Sequence, residues 1–358
     1  MPRIEDDAAA GGLLEVLKDR IRRDGPMPVD AFMRACLDHP VHGYWRRAHS
    51  IGRSGDFITS PEISQVFGEL IGLWCAAIWQ QMGKPETLAL VELGPGLGTL
   101  MRDALRAARA VPAFAAAIRV HLVEMSPAMR ERQAATLADS THQIAWHDDV
   151  REVPAGAAIV VGNEFLDALP IRQLVYGGGW HERVVGLAPD GGLQFEAGEA
   201  VAGHADAQDG AIFELRPGED DVLAALASRG EPVAGLFIDY GPAETGLGDT
   251  LQAVRHHEYA DPLAHPGTAD ITAHVQFATF ARKAQDAGLA ADGPLTQAEF
   301  LGRLGVAERA RKLMSANPQR AGEVEAAVLR LISPTGMGSL FKAMAVRSRS
   351  LPPLLPFG

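Results

Sequence analysis

Cysteine is nearly absent: Cys36 and Cys75 are the two in 358 residues. Both lie in apolar, helix-like surroundings, which suits two reduced thiols in a core rather than a disulfide scaffold. No Cys/His spacing of a metal site occurs. Long apolar runs are missing too, and no uncharged stretch approaches the ~18 residues a membrane-spanning helix needs. Positive charge is in deficit, with 33 Lys and Arg against 45 Asp and Glu and a formal net charge of −12. That balance argues against a nucleic-acid or anionic-membrane partner, both of which need a basic footprint. It leaves open a basic protein or peptide, although acidity is also an ordinary solubility device. The opening "MPRIEDDAAAGG" has neither the charge nor the apolar centre of a secretory or transit peptide, so a soluble, cytoplasmic protein is expected.

With 47% hydrophobic and 22% charged residues, the chain can bury a sizeable core, and its length suits two domains or one elaborated domain. The first 85 residues read as a helical region. Leu13, Leu14, Leu17 and Ile21 recur at helical spacing. In "SPEISQVFGELIGLWCAAIW" Ser60 is expected to cap one helix and Pro61 to begin it, with Ile63, Val66, Phe67, Leu70, Ile71, Trp74 and Ile78 as its apolar stripe. From about residue 86 the pattern alternates. "LALVEL" (88–93), "IRVHLVE" (118–124), "QIAWH" (143–147), "AAIVVGN" (157–163) and "GLFIDY" (235–240) are strand candidates, and the runs between the first three are helix-like. Continuous apolar strands among helices predict a mostly parallel sheet covered on both faces. The stretch from about 171 to 232 differs: short alternating segments broken by "GGG" and "PDGG" read as an inserted antiparallel β segment. A Pro/His/Asp-rich loop and helices follow residue 240. "SLFKAMAVRS" (339–348) is expected to close the sheet, and the tail "LPPLLPFG" to be extended.

The first strand runs into Glu92 and then glycines at 94, 96 and 98 before a helix-like segment. A strand, a glycine-rich turn and a helix commonly face a nucleotide. A dinucleotide fingerprint counted from Gly94 needs a third glycine at 99, where Thr99 stands. A P-loop needs a lysine that does not follow. Glycines allow the backbone to approach a ligand closely, and Glu92 repels a pyrophosphate but attracts an ammonium or sulfonium. The second strand ends in Glu124, placed to accept from ribose hydroxyls, and the third in "HDD", where Asp148 can accept from an adenine amino group. Each carboxylate alone is an ordinary strand-end residue, but together they favour S-adenosylmethionine over NAD.

Longer segments carry a resemblance. "VELGPGLGTLMRDAL" resembles the first motif of class I S-adenosylmethionine-dependent methyltransferases. "GYW", "IGRSGDFITSPEISQVFGELIGLW", "GNEFLDALPIRQ" and "DPLAHPGTADITAHVQF" are similar to the MidA-type family, from about residue 12 to 348. That family occurs in bacteria and, in mitochondria, as an assembly factor of respiratory complex I. The resemblance implies a Rossmann-like class I fold over 86–358, a helical or lid region over 1–85, and a protein methyltransferase whose mitochondrial relatives symmetrically dimethylate an arginine in a complex I core subunit. It implies cofactor contacts at Gly94, Gly96 and Gly98 for the methionine moiety, Glu124 for the ribose and Asp148 near the adenine.

Methyl transfer to a guanidinium needs carboxylates that hold it and receive its proton. "NEFLDALP" supplies Asn163, Glu164 and Asp167 after the fourth strand, although Asp167 could be a helix cap and Glu164 a local pair. "GDFITSPEIS" is expected to close over the cofactor through Asp56, Thr59 and the wall of Phe57. Asp270 as an N-cap, His274 on a helix and Tyr240 beside the acceptor stay open. So do the oligomeric state, another protein or small-molecule acceptor, and a scaffold that binds the cofactor with little activity.

Overall fold

The computed structural model describes residues 3–46, 58–230 and 232–358. Its centre is a seven-stranded sheet: β1 (Leu88–Leu93), β2 (Ile118–Val123), β3 (Ile144–His147), β4 (Ala158–Asn163), β5 (Val233–Tyr240), β6 (Leu289–Thr296) and β7 (Phe341–Ser348). All six residues of β1 are buried, as a strand covered on both faces requires. The spatial order is β3-β2-β1-β4-β5-β7-β6, and β7 runs antiparallel to both neighbours. The order therefore reverses between β1 and β4, the point where an open α/β sheet leaves a crevice at its carboxyl edge.

Helices Thr99–Ala108 and Pro127–Thr136 connect β1 to β2 and β2 to β3. Helix Gln65–Gln81 lies on Thr99–Ala108 at close range. A Cβ on Gly72 would stand 2.5 Å from the Ala104 carbonyl oxygen, and one on Gly68 would stand 2.8 Å from Asp103 Cβ. These two glycines let the helix that leaves the nucleotide-type turn press against its neighbour. The expected single helix from Ser60 is in fact two. Ser60–Ile63 is one turn with Thr59 at its cap position and Pro61 inside it. Ser64 is extended and accepts the Val66 N–H through its side chain, so it caps Gln65–Gln81.

The insertion folds as antiparallel strands Arg172–Tyr176, Trp180–Leu187, Leu193–Val201 and Ile212–Leu215. Met27–Pro28 joins this sheet, with Met27 opposite Val185. Helices before residue 85 divide between two cores. Leu13, Leu17, Phe32 and Met33 pack with Val185 and Ile271, whereas Phe67, Ile71 and Trp74 pack with the central sheet.

Further sequence expectations change. β6, "LAADGPLT", lies where helices were expected. It is an edge strand with a register shift between Asp292 and Leu295, where Asp, Gly and Pro are tolerated. The region after 240 is not all loop and helix: Gln252–Arg255, Glu258–Ala260 and Asp270–Thr272 form a small antiparallel sheet. Its hairpin turns at His256 and His257, both at positive φ, without the Asn-Gly signature of such turns. Asp270 thus opens a strand rather than capping a helix. His274 precedes helix Phe277–Asp286 instead of lying on it. The tail is strapped down, its Leu355 carbonyl accepting from Trp74 Nε1 at 2.5 Å. Both cysteines are buried and unbonded to each other.

Candidate active site

A cavity of about 540 Å³ opens at the carboxyl edge of β1 and β4, with walls from the turns after β1, β2, β3 and β4. Helix Val29–Asp38, Trp45 and the Thr59–Glu62 turn complete it on one side, and the start of helix Pro217–Ala227 on the other. Among the described residues, nine carboxylate side chains line it against two arginines, Arg34 and Arg151.

The floor is the turn after β1. Gly94, Gly96 and Gly98 have φ of 59°, 52° and 79°, the left-handed region that a side chain disfavours. A Cβ at Gly94 would also meet the Phe165 ring at 3.0 Å. Beneath the turn Glu92 is 3% exposed, and burial pushes its carboxyl up to about 8 despite a hydrogen bond from the Met101 amide. Its Oε2 has no hydrogen-bond partner among the described residues, although the side chain borders the cavity. A buried carboxylate oxygen left open beside a glycine cradle suits a ligand carrying an ammonium group.

Glu124 directly follows β2. Its Oε1 accepts the Ser126 N–H at 2.8 Å, its Oε2 accepts Gln133 Nε2 at 3.1 Å, and burial raises its carboxyl. Gln133, fully buried and absent from the sequence-based site, also donates to the Gly96 carbonyl at 2.9 Å and accepts from Trp146 Nε1 at 2.9 Å. One side chain thus fixes both the glycine turn and the candidate ribose carboxylate; nothing in "PAMRERQAAT" marks it. Asp148 follows β3 and borders the cavity, but its side chain is 70% exposed and paired with Arg130 at 2.5 Å. Trp45, also missed, lines the cavity and its carbonyl accepts from Ser126 Oγ at 2.9 Å.

At the end of β4 the chain places Asn163 and Glu164 in the cavity wall. Glu164 Oε1 accepts the Ser60 N–H at 2.9 Å and Asn163 Nδ2 at 3.1 Å. Burial, with Asp167 adding to it, pushes the Glu164 carboxyl up to about 7. Thr59 borders the same space, whereas Asp56 and Phe57 fall outside the described residues. Asp167 is not brought to the cavity. It is buried, and burial raises its carboxyl against the opposing influence of Tyr240 and Arg216. Tyr240, Asp270 and His274 are likewise not among the lining residues; the Tyr240 hydroxyl reaches Thr272 Oγ1 at 2.5 Å, and its ring meets that of His274 edge-on. Among the described residues no group of three His, Cys, Asp or Glu side chains could hold a metal, and no helix is long and apolar enough to cross a membrane.

A family profile for S-adenosyl-L-methionine-dependent methyltransferases matches residues 70–295. The chain is 34% identical to a Drosophila melanogaster mitochondrial protein arginine methyltransferase, the NDUFAF7 homologue, over 95% of this chain and 86% of that one. It is 34% identical to human NDUFAF7, over 93% and 83%. A COG1565 superfamily member from Burkholderia thailandensis, solved bound to S-adenosyl-homocysteine, superposes with a TM-score of 0.86 at 28% identity, covering 98% and 95% of the two chains. S-adenosylmethionine is therefore the cofactor, and the open Glu92 oxygen, the glycine cradle and the held Glu124 carboxylate fit it. The chain belongs to the MidA-type family of S-adenosylmethionine-dependent methyltransferases.

Proposed function

We propose that the methyl acceptor is an arginine of a protein, and that Glu164 receives its guanidinium. The observation that carries this reading is the Glu164 carboxylate itself. It borders the cofactor cavity beyond the glycine turn, it is held by an amide from another segment, and its carboxyl sits at about 7. When bound, the cofactor supplies an electrophilic methyl group on a positive sulfur. A guanidinium is a weak nucleophile while it holds its full charge. Glu164 pairs with it, orients one nitrogen, and takes the proton which that nitrogen sheds as the methyl carbon exchanges its bond to sulfur, which leaves as a neutral thioether, for one to nitrogen. A carboxyl poised near neutrality can accept this proton and release it to water. Asn163 Nδ2 and the Ser60 N–H fix which carboxylate lone pairs remain open. The excess of carboxylates around the opening draws a basic segment of a protein toward the site.

The relatives named above as protein arginine methyltransferases support an arginine acceptor. The resemblance to the mitochondrial assembly factors supports an acceptor in a core subunit of respiratory complex I, dimethylated symmetrically. The test is single-turnover transfer of labelled methyl from S-adenosylmethionine to that subunit, followed by mass spectrometry of the labelled residue. Label is expected on one arginine. Glu164→Gln is expected to keep cofactor affinity within about threefold and to cut transfer by ~10²-fold or more. Label on another residue type removes the arginine reading, and undiminished transfer by the variant removes Glu164 from the reaction.

A further inference from the structure

Glu164 stands at φ 50°, a left-handed conformation that costs a residue with a Cβ on the order of 1 kcal/mol or more. Such a conformation persists only when the surroundings over-determine it. The group that does so lies outside the cavity. Asp239, 1% exposed near the end of β5, accepts three successive backbone amides on one oxygen: Phe165 at 3.1 Å, Leu166 at 2.9 Å and Asp167 at 3.2 Å to Oδ2. Its Oδ1 accepts the Tyr240 amide at 2.9 Å, and the Glu164 amide itself donates to the Ile238 carbonyl at 2.8 Å. One carboxylate therefore gathers the amides of the turn directly after Glu164 and ties them to β5.

Resting on the proposed role of Glu164, we infer that Asp239 is a positioning residue for methyl transfer. It stabilises the turn whose strained first residue holds the acceptor carboxylate toward the cavity. The same turn sets the Phe165 ring against Gly94 of the cofactor cradle. An amide cannot replace it. Asparagine presents an acceptor to either the three turn amides or the Tyr240 amide, and a donor to the other side.

A double-mutant cycle tests this in the full-length protein. Asp239→Asn is expected to lower kcat for transfer to the protein substrate by roughly 30-fold, with the S-adenosylmethionine Kd within about threefold. In the Glu164→Gln background the same substitution is expected to lower kcat less than about threefold further, because the group it positions is already disabled. Asp239→Glu, which keeps a carboxyl acceptor but shifts it by one methylene, serves as the same arm if the asparagine variant does not fold. Losses that multiply in full, alongside an impaired Glu164→Gln, overturn the positioning role and leave Glu164 in place. An unimpaired Glu164→Gln instead overturns the reading beneath it. Amide exchange in the wild-type protein is an independent arm. Phe165, Leu166 and Asp167 are expected to exchange slowly, and exchange as fast as open loop amides overturns the inference whatever the variants do.

Discussion

At the residue scale the site separates carboxylates that look alike in sequence. Glu124 and Asp148 each follow a strand of the parallel sheet, and each was expected to touch the cofactor. The structure gives them different surroundings. Glu124 is held from both oxygens by Ser126 and Gln133, while Asp148 is largely exposed and spends its charge on Arg130. A preorganised, partly desolvated carboxylate binds hydroxyls more strongly than one already paired in solvent. Glu124→Ala is therefore expected to weaken S-adenosylmethionine by about 1.5–3 kcal/mol, and Asp148→Ala by less than ~1 kcal/mol. Calorimetry on the two variants checks the ranking, and equal losses would mean that Glu124 does not receive the ribose. Neither Gln133 nor the strain at Glu164 was legible in the sequence. A buried glutamine announces itself only by what folding brings beside it, and a positive φ is invisible where the residue is not glycine.

At the scale of elements, legibility followed burial. β1, β2, β4 and β5 are mostly buried and mostly apolar, and each was found within two residues of its ends. β6 was missed because an edge strand tolerates Asp, Gly and Pro. The hairpin at His256 and His257 was missed because its turn lacks the residues that usually adopt positive φ. The glycine turn is the element where sequence and structure agree most closely, since all three glycines occupy conformations that need glycine. Gly96→Val follows from that agreement. Valine is β-branched and resists φ near 52°, so the turn must move away from the Gln133 bond that holds the Gly96 carbonyl. S-adenosylmethionine binding is expected to fall at least ~10²-fold while circular dichroism and the unfolding transition still report a folded chain. A folded variant that binds the cofactor as wild type does would take this turn out of the site.

At the scale of the whole molecule, the cavity carries a stability cost that depends on pH. Glu92 and Glu164 are raised to about 8 and about 7, above the ordinary value of 4.5. Between that value and their raised values, the folded state holds these protons and the unfolded state does not. Their support for folding is full in acid and is lost as pH rises through 7 and 8. The neighbouring His121 and His147, whose ring nitrogens stand 2.9 Å apart, act in the opposite sense. Burial lowers both, His121 to about 4, so acid below the ordinary 6.5 destabilises the fold through them. The total pH profile mixes these terms, but the difference between wild type and Glu92→Gln isolates one of them. Glutamine keeps the shape and has no proton to lose. Without cofactor, the variant is expected to melt about 2–4 °C or more above wild type at pH 8.5, with the gap closing toward pH 5. The same variant is expected to bind S-adenosylmethionine at least ~10-fold more weakly at pH 8.5, because the charge that burdens the empty fold is the one the ligand's ammonium meets. Scanning calorimetry across pH and titration of the cofactor read the two halves on one protein. A melting gap independent of pH would show that Glu92 is already ionised at neutrality in the empty cavity, and tight binding by the variant would move the ammonium elsewhere.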